Sequence, residues 1–488
     1  MSALTSLARA SAVAAGVAQP IATVRHVHLS SRPLVFVPLT LAGEANAPLA
    51  ALVGSSADSP RLLVVPQPRN RDQRFSFAAS LADILVSYVD SFRGETETVA
   101  VDRGRDVRER YLDAPQILVP NGGGIGFVRL FGRSTRLRRT TGEYAVEPSV
   151  PMLGRWLTFF VERAEYPGSS LLVSMTGALS LHWATGQSSV EDANLAALVG
   201  WIDPPDGLTG PDAALLAEDP LVWPPAGPAT DPTFDNEVLA PAIAAGSLST
   251  LERVLRGQLR PTWELMWRGV SLLRSLPAGE RVERRWADDR DAFTGYASYV
   301  AEGGYPQPKL DGAVAAAQRL ARLERAQAQY DAQRAYDDPL VLAEYRLTGE
   351  AFAGTVVASS PDRIDASGSR RKLRPHVTVV SDDPVRLEPG VSVVSPGRAA
   401  QTGLVVSVSA LSSGSFEVVL ELSGGMGRSL TAPPGSVPEA GERLTYTTLT
   451  ESYQAPAAFP SRDETPWTHG GPPVEYVPDD EDATEEWS

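Results

Sequence analysis

The chain has 488 residues, a formal net charge of −15 and no cysteine. The length suggests about three domains, and a hydrophobic content of 43% is enough for a sizeable buried core. The lack of cysteine excludes disulfides, thiolate nucleophiles and cysteine-ligated metal centres. Because the chain is acidic, any contact with nucleic acid requires a local basic patch.

Arginine is strongly preferred over lysine. Only Lys309 and Lys372 are lysines among 44 basic residues, a bias typical of genes with a high GC content. A mechanism that needs a lysine amine therefore has two candidate positions. No apolar run approaches the roughly 20 residues that cross a bilayer, so we expect a cytoplasmic protein without a membrane contact.

The first 32 residues form an alanine-rich leader, expected to be a frayed helix or disordered. An N-terminal α/β domain with a helical extension is predicted over residues 33–203. Short apolar runs predict its strands and amphipathic periodicity predicts its helices. The predicted strands are 33–41, 49–54, 61–67, 98–101 and 115–120, and the predicted helices are 77–92, 153–165 and 191–203.

A linker rich in proline and glycine is predicted over residues 204–234, and a helical bundle or hairpin over residues 235–345. Ser249 and Glu252 have the spacing of a capping box. Pro261 suits the first turn of a second helix, and residues 313–338 predict one long helix.

Six short strand-like runs separated by turns predict a small β-barrel over residues 346–452. Residues 453–488 form an acidic tail that is expected to be disordered. The predicted fold class is thus α+β and multidomain: an N-terminal α/β domain, a central helical block, a C-terminal small β-barrel and an acidic disordered tail.

The segment from Gln116 to Arg139, QILVPNGGGIGFVRLFGRSTRLRR, is the first candidate site. Glycines after a strand can present backbone N–H groups to a phosphate, although the spacing matches neither the dinucleotide fingerprint nor the P-loop. Arginine binds phosphate in a bidentate manner; the alternative is a solvated surface paired with acidic residues. The candidates are Gly122, Gly123, Gly124 and Gly126 for a phosphate loop, and Arg129, Arg133, Arg136, Arg138 and Arg139 for phosphate or nucleic acid.

A second basic run lies in a predicted turn of the barrel. Its members are Arg370, Arg371, Lys372 and Arg374. They are candidates for phosphate contact, or else a solvated basic loop.

Two motifs point to catalysis only weakly. His26 and His28 form an H-x-H pair, as in metallohydrolases of the amidohydrolase type, but no matching motif surrounds the other histidines. The strand order of the N-terminal domain resembles the restriction-endonuclease-like fold. The matching strand carries no acid and no lysine, so this resemblance implies a degenerate nuclease scaffold. No catalytic residue, metal or cofactor is predicted.

The order of a helical hairpin followed by a small β-barrel, over about residues 280–450, resembles the stalk-and-barrel insertion of Upf1-like superfamily 1 helicases. Residues 313–338, 354–359 and 382–425 carry the resemblance. The helicase motor is absent, because no Walker lysine exists. The resemblance therefore implies a partner that handles nucleic acid beside a motor.

The tail ends in a cluster of acidic residues followed by Trp487. It resembles the tip of bacterial single-stranded-DNA-binding proteins, in which charge steers a partner and an aromatic ring anchors it. The alternative is a solubilising tail. Trp487 is therefore a candidate contact for a protein partner.

These patterns leave three functions open. The first is a non-catalytic accessory subunit of a nucleic-acid-processing or defence complex, which contacts phosphates through its arginine clusters and recruits a motor or nuclease. The second is an enzyme that acts on a phosphate-bearing substrate at residues 122–139. The third is a scaffold that binds only protein.

Overall fold

The computed structural model describes residues 2–101, 105–220, 223–224, 227–368, 370–452 and 477. These residues divide into two compact units. We call residues 5–324 the sheet unit, and residues 2–4 together with 325–452 the barrel unit. The predicted α+β class with a C-terminal barrel is confirmed.

The sheet unit contains most of the helices. The helices are α1 Ala3–Ala15, α2 Arg71–Asp90, α3 Gly122–Thr135, α4 Ser149–Ala164, α5 Met175–Ser180, α6 Leu195–Ile202, α7 Gly210–Glu218, α8 Pro232–Phe234, α9 Ala240–Ala244, α10 Leu248–Arg274, α11 Val282–Ala301 and α12 Ala313–Asp337. The strands are β1 Gln19–Pro20, β2 Leu34–Leu41, β3 Glu44–Gly54, β4 Arg61–Val64, β5 Thr96–Val101, β6 Asp106–Tyr111, β7 Ile117–Val119, β8 Leu172–Ser174 and β9 Trp183–Ala184. The end of α12 belongs to the barrel unit.

A five-stranded mixed sheet in the order β4-β3-β2-β7-β8 is the centre of the sheet unit. Strand β2 runs antiparallel to β3 and parallel to β7. Its sequence LVFVPLTL is almost continuously apolar, as expected for a strand that is covered on both faces. Phe36 belongs to an apolar cluster with residues of α2, α3, α4 and α11, and Val37 belongs to a second cluster with residues of α5, α6 and α10. The unit therefore has three layers, helix–sheet–helix.

The strand predicted at 98–101 is present as part of β5, which pairs with β6 in a hairpin separate from the central sheet. Two local predictions differ from the structure. The N-cap of α10 is Ser247, not Ser249, because the Ser247 side chain accepts a hydrogen bond from the Thr250 N–H. Pro261 does not start a new helix but lies inside α10, whose buried face continues through Leu259 and Trp263.

The predicted leader is folded over its described residues. Helix α1 buries Ala12 in a small apolar cluster with α6 and α7. Strand β1 pairs with β9. Of the two expectations for the leader, a helix or a disordered segment, the structure therefore contains the helix.

The barrel unit is a closed six-stranded barrel preceded by a helix. Its elements are α13 Pro339–Thr348, β10 Ala351–Ser360, β11 Ile364–Asp365, β12 Lys372–Leu373, β13 His376–Ser381, β14 Ser392–Ser395, β15 Arg398–Ala410, β16 Phe416–Leu422 and β17 Arg443–Thr447. The barrel order is β10-β13-β16-β15-β14-β17, with β17 pairing back to β10. Each of the six strand-like runs predicted from the sequence supplies one of these strands. Phe352 and Tyr446 stack in the core with ring centroids 5.8 Å apart.

The boundary between the two units lies within α12 at residues 324/325. The sequence predicted a change of domain at 345/346, after this helix. In the barrel unit, Ala332 and Ala335 of α12 are buried, and the Tyr336 hydroxyl donates to the Leu449 carbonyl. The boundaries predicted at 203/204 and 234/235 stay predictions.

Candidate anion-binding pocket

Helix α3 carries the glycine and arginine segment that the sequence singles out. Asn121 precedes the helix in an extended conformation, and its side-chain oxygen accepts the Gly124 N–H. Phe127, Val128 and Phe131 are buried against the central sheet. The glycine run is therefore the first turn of a core helix, not a free loop.

Close packing accounts for two of these glycines. A Cβ on Gly123 would lie 2.7 Å from the Pro228 ring, and one on Gly124 would lie 2.8 Å from the Val119 side chain. Gly122 and Gly126 face open space. A phosphate contact at this turn stays a prediction.

Two glycines set the distance between α3 and α4. A Cβ on Gly154 of α4 would lie 2.2 Å from the Arg136 backbone nitrogen, and one on Gly132 of α3 would lie 3.0 Å from the Leu157 Cβ. Small residues at a crossing let two helix backbones approach closely. The C-terminal half of α3 is thereby held directly against α4.

The five arginines of this segment do not act as one patch. Arg129, Arg133 and Arg136 are spaced i, i+4, i+7 and line one pocket. Arg138 lies over the Phe75 ring, 5.3 Å from its centroid, and its Nε donates to the Ser134 carbonyl. Arg139 is exposed and does not line this pocket.

The pocket lies between α3, α4 and the segment that leads into α12, and has a volume of about 230 Å³. We call it the anion pocket. It is lined by Arg129, Arg133, Arg136, Thr158, Val161, Glu162, Glu165, Gln307, Pro308, Lys309, Asp311 and Arg319. Five of these side chains are cationic and three are acidic, which leaves an excess of two positive charges.

Arg136 builds the pocket wall. Its side chain is almost fully buried, its Nε donates to the Gln307 carbonyl at 2.9 Å, and its Nη2 donates to the Pro308 carbonyl at 2.8 Å. These charge-assisted bonds hold the 307–309 segment beside α3 and α4. The side chain of Lys309 is thereby brought to the pocket.

Glu165 brings two arginines from different helices together. Its carboxylate lies 2.9 Å from Arg129 of α3 and also pairs with Arg319 of α12. Arg319 pairs in addition with Asp311 at 3.2 Å. The side chain of Arg133 is exposed and makes no ion pair or hydrogen bond with any residue that the structure describes. Its guanidinium group is therefore available to a ligand.

Glu162 lies in the same pocket in a partly desolvated position. Burial raises the pKa of its carboxyl group, with a smaller opposing effect from Arg319 and Arg136. Desolvation penalises the charged form of a carboxyl group. Glu162 therefore holds a proton at a higher pH than an exposed glutamate does.

Five residues of the pocket were not predicted from the sequence: Glu162, Glu165, Lys309, Asp311 and Arg319. One signal was present, since Arg129, Arg133 and Arg136 share one helix face, whereas Arg138 and Arg139 lie off it. Glu162 and Glu165 are three positions apart on the predicted helix 153–165, so they also share one helix face. Their approach to the 307–319 segment could not be inferred from spacing.

The second basic run lies in the barrel unit, around the small β11–β12 hairpin. Arg370, Arg371 and Lys372 are exposed and make no ion pair within the described residues. Arg374 is half-buried, 3.9 Å from the Glu421 carboxylate, which also binds Arg363 at 2.7 Å. Three members of the run are therefore accessible, and the fourth lies beside an acidic partner.

The two histidines of the H-x-H pair are not on a strand. His26 is buried and stacks beside His182, with ring centroids 5.6 Å apart, whereas His28 stacks on Trp286 at 3.9 Å. Within the described residues, no group of three or more potential ligands could hold a metal ion. Trp487 and the acidic cluster before it lie outside the described residues.

Comparisons of the chain with protein-family models, with curated proteins and with solved structures give no match. None of the described helices is both long enough and apolar enough to cross a membrane. What the chain does must therefore be inferred from the anion pocket and the exposed basic hairpin.

Proposed function

We propose that this chain is a non-catalytic, cytoplasmic accessory subunit of a nucleic-acid-processing complex that contacts phosphates through arginine side chains. The observation that carries the proposal is the anion pocket, in which the exposed side chain of Arg133 has no partner among the described residues while Arg129 and Arg319 are held at the same site. Guanidinium groups in such a cluster match the geometry of phosphate oxygens. The chain is rich in carboxylates that could pair with these cationic groups. A cationic cluster that is not fully paired within such a chain is consistent with the binding of an external anion.

The exposed hairpin residues Arg370, Arg371 and Lys372 supply a second contact in this proposal. Unlike a pocket, an exposed basic hairpin can follow a phosphate backbone without selecting one group. Recruitment of a motor or nuclease through Trp487, and the link to a helicase motor, are proposed from the sequence resemblances alone.

Binding to fluorescent single- and double-stranded DNA and RNA, measured by anisotropy over a range of salt concentrations, tests the proposal. Each lost phosphate contact should reduce the slope of log affinity against log salt by about 0.7–0.9. We expect Arg133→Ala to weaken binding by about tenfold at low salt, and the combined Arg370→Ala, Arg371→Ala and Lys372→Ala variant to lower the slope further.

Arg260→Ala is the matched control. Arg260 is an exposed arginine on α10 that pairs with Glu264. Its substitution therefore removes one positive charge without changing either basic site. Absence of binding to every nucleic acid at low salt would refute the proposal. Equal losses in Arg133→Ala and Arg260→Ala would show a non-specific effect of net charge.

A second candidate is an enzyme that acts on a phosphate-bearing substrate in the anion pocket. The raised pKa of Glu162 favours it, because a carboxyl group that holds its proton more strongly than an exposed glutamate can act as a general acid. Turnover of phosphorylated substrates that is lost in Glu162→Gln would favour this function over the first.

A further inference from the structure

The anion pocket is a depression that is open to solvent on one side, and its size limits what can lie inside it. A volume of about 230 Å³ is below the range of about 300–1,000 Å³ typical of sites for drug-sized ligands. The pocket can take a phosphate group with part of the attached sugar. It is too small to hold a base pair.

The net charge of the residues that line the pocket also favours a phosphate group. An excess of two positive charges matches the charge of a phosphate monoester at neutral pH, about −1.5 to −2. An internal phosphodiester carries only one negative charge. A strand that passed through would also bring its neighbouring phosphates toward Glu162, Glu165 and Asp311, which would repel them.

The cationic groups are also arranged before a ligand arrives. Glu165 holds Arg129 and Arg319 at one carboxylate, and Arg136 fixes the backbone that carries Lys309. Pre-organisation lowers the entropic cost of binding. Arg133 then completes the set as the cation that has no partner within the described residues.

From these observations we infer that the anion pocket binds a terminal phosphate monoester, and that the ligand is the phosphorylated end of a nucleic-acid strand. This inference rests on the proposed function and names its ligand more narrowly. It distinguishes the anion pocket, which would select an end, from the β11–β12 hairpin, which would contact internal phosphates.

The test compares two single-stranded oligonucleotides of one sequence, labelled at the 3′ end and carrying either a 5′-phosphate or a 5′-hydroxyl group. We expect the full-length protein to bind the phosphorylated strand about tenfold more tightly at moderate salt. In Arg133→Ala and in Arg319→Ala the ratio should fall to about one, whereas Arg260→Ala should keep it. Each variant should be checked for an unchanged melting temperature.

The outcomes separate this inference from the proposed function. Equal affinity for both strands in the wild type overturns the selection of an end and leaves the binding of nucleic acid intact. A preference that survives in Arg133→Ala and Arg319→Ala overturns the assignment to this pocket. No binding of either strand overturns both proposals.

Competition with adenosine 5′-monophosphate identifies the source of the phosphate. We expect the mononucleotide to displace the phosphorylated strand only at a concentration at least about a hundredfold higher, because it makes no contact outside the pocket. Displacement at an equal concentration would overturn the strand end as the ligand and indicate a free nucleotide.

Discussion

At the scale of single residues, Glu162 is the carboxyl of the anion pocket that burial pushes toward its neutral form. Deprotonation above its pKa places a negative charge beside the proposed phosphate and weakens binding. Affinity should therefore rise as the pH falls through the raised pKa of Glu162, which lies above the usual glutamate value of about 4.3. Binding of an anion should in turn be accompanied by proton uptake.

The variant Glu162→Gln keeps the shape of the side chain and removes the charge at every pH. We expect it to bind the 5′-phosphorylated strand about fivefold more tightly than the wild type at pH 8, since repulsion of about 1 kcal/mol is relieved. Its affinity should also vary less between pH 8 and pH 5. Anisotropy titrations of both proteins with the same strand cancel the titration of the phosphate itself.

Glu264→Gln serves as the control for this charge change, because Glu264 is exposed on α10 and pairs with Arg260. The role of Glu162 is contradicted if Glu162→Gln binds more weakly than the wild type and shows the same dependence on pH. That result would place the carboxylate among the groups that only position the arginines.

At the scale of elements, the pocket depends on the close crossing of α3 and α4. Gly154→Ala places a methyl group against backbone atoms of Arg136, which cannot move without shifting the helix. We expect a loss of about 3 kcal/mol in the free energy of unfolding. Binding of the phosphorylated strand should weaken as well, because Arg136 and the α4 carboxylates separate.

Gly257→Ala is the matched substitution on α10. An added Cβ there meets open space, so replacing glycine inside a helix should stabilise the protein by about 0.5–1 kcal/mol. Urea denaturation measures both effects. If Gly154→Ala is as stable as the wild type and binds the strand equally well, the crossing does not set the pocket.

At the scale of the whole molecule, the elements with strong local patterns could be predicted from the sequence. The six barrel strands, the central strands β2, β3 and β7, and the helices α2, α4 and α12 follow from alternation or helical periodicity. Pro261 misled the prediction, because packing along α10 outweighs the local preference of proline for a helix start. Strand β5 was found, but its pairing with β6 depends on a partner that its own sequence does not reveal.

The candidate site was also predictable only in part, because some of its residues come from a distant part of the sequence. Arg129, Arg133 and Arg136 could be named from one segment. Arg319 and Lys309 reach the same pocket from more than 170 positions further along the chain. Their place depends on how the 307–311 segment packs on α3 and α4, which residue spacing does not determine.

A segment near the N-terminal end connects distant parts of the sheet unit. The His28 N–H donates to the Ser170 hydroxyl, and the buried Asp289 binds Arg163, Ser169 and the Ser170 N–H. The His28 ring stacks on Trp286 of α11. These contacts tie the segment before β2 to β8 and α11, so the protonation of His28 affects the stability of the unit as a whole.

Burial lowers the pKa of His28 to about 4, and the nearby Arg25 and Arg290 act in the same direction. The folded state therefore keeps the ring neutral, while the unfolded chain takes up a proton near pH 6.5. Stability from this residue is fully present above pH 6.5 and is lost as the pH falls toward 4, by at most about 3 kcal/mol.

His28→Phe keeps an aromatic ring against Trp286 but cannot be protonated. We expect its free energy of unfolding to fall less than that of the wild type between pH 6.5 and pH 4. Tryptophan fluorescence during urea denaturation can follow this, because seven of the nine tryptophans lie in residues 5–324 and none lies in residues 325–452. Parallel curves for the two proteins across this range would mean that the unfolded and folded states protonate His28 alike, and that its stacking on Trp286 does not exclude the charged ring.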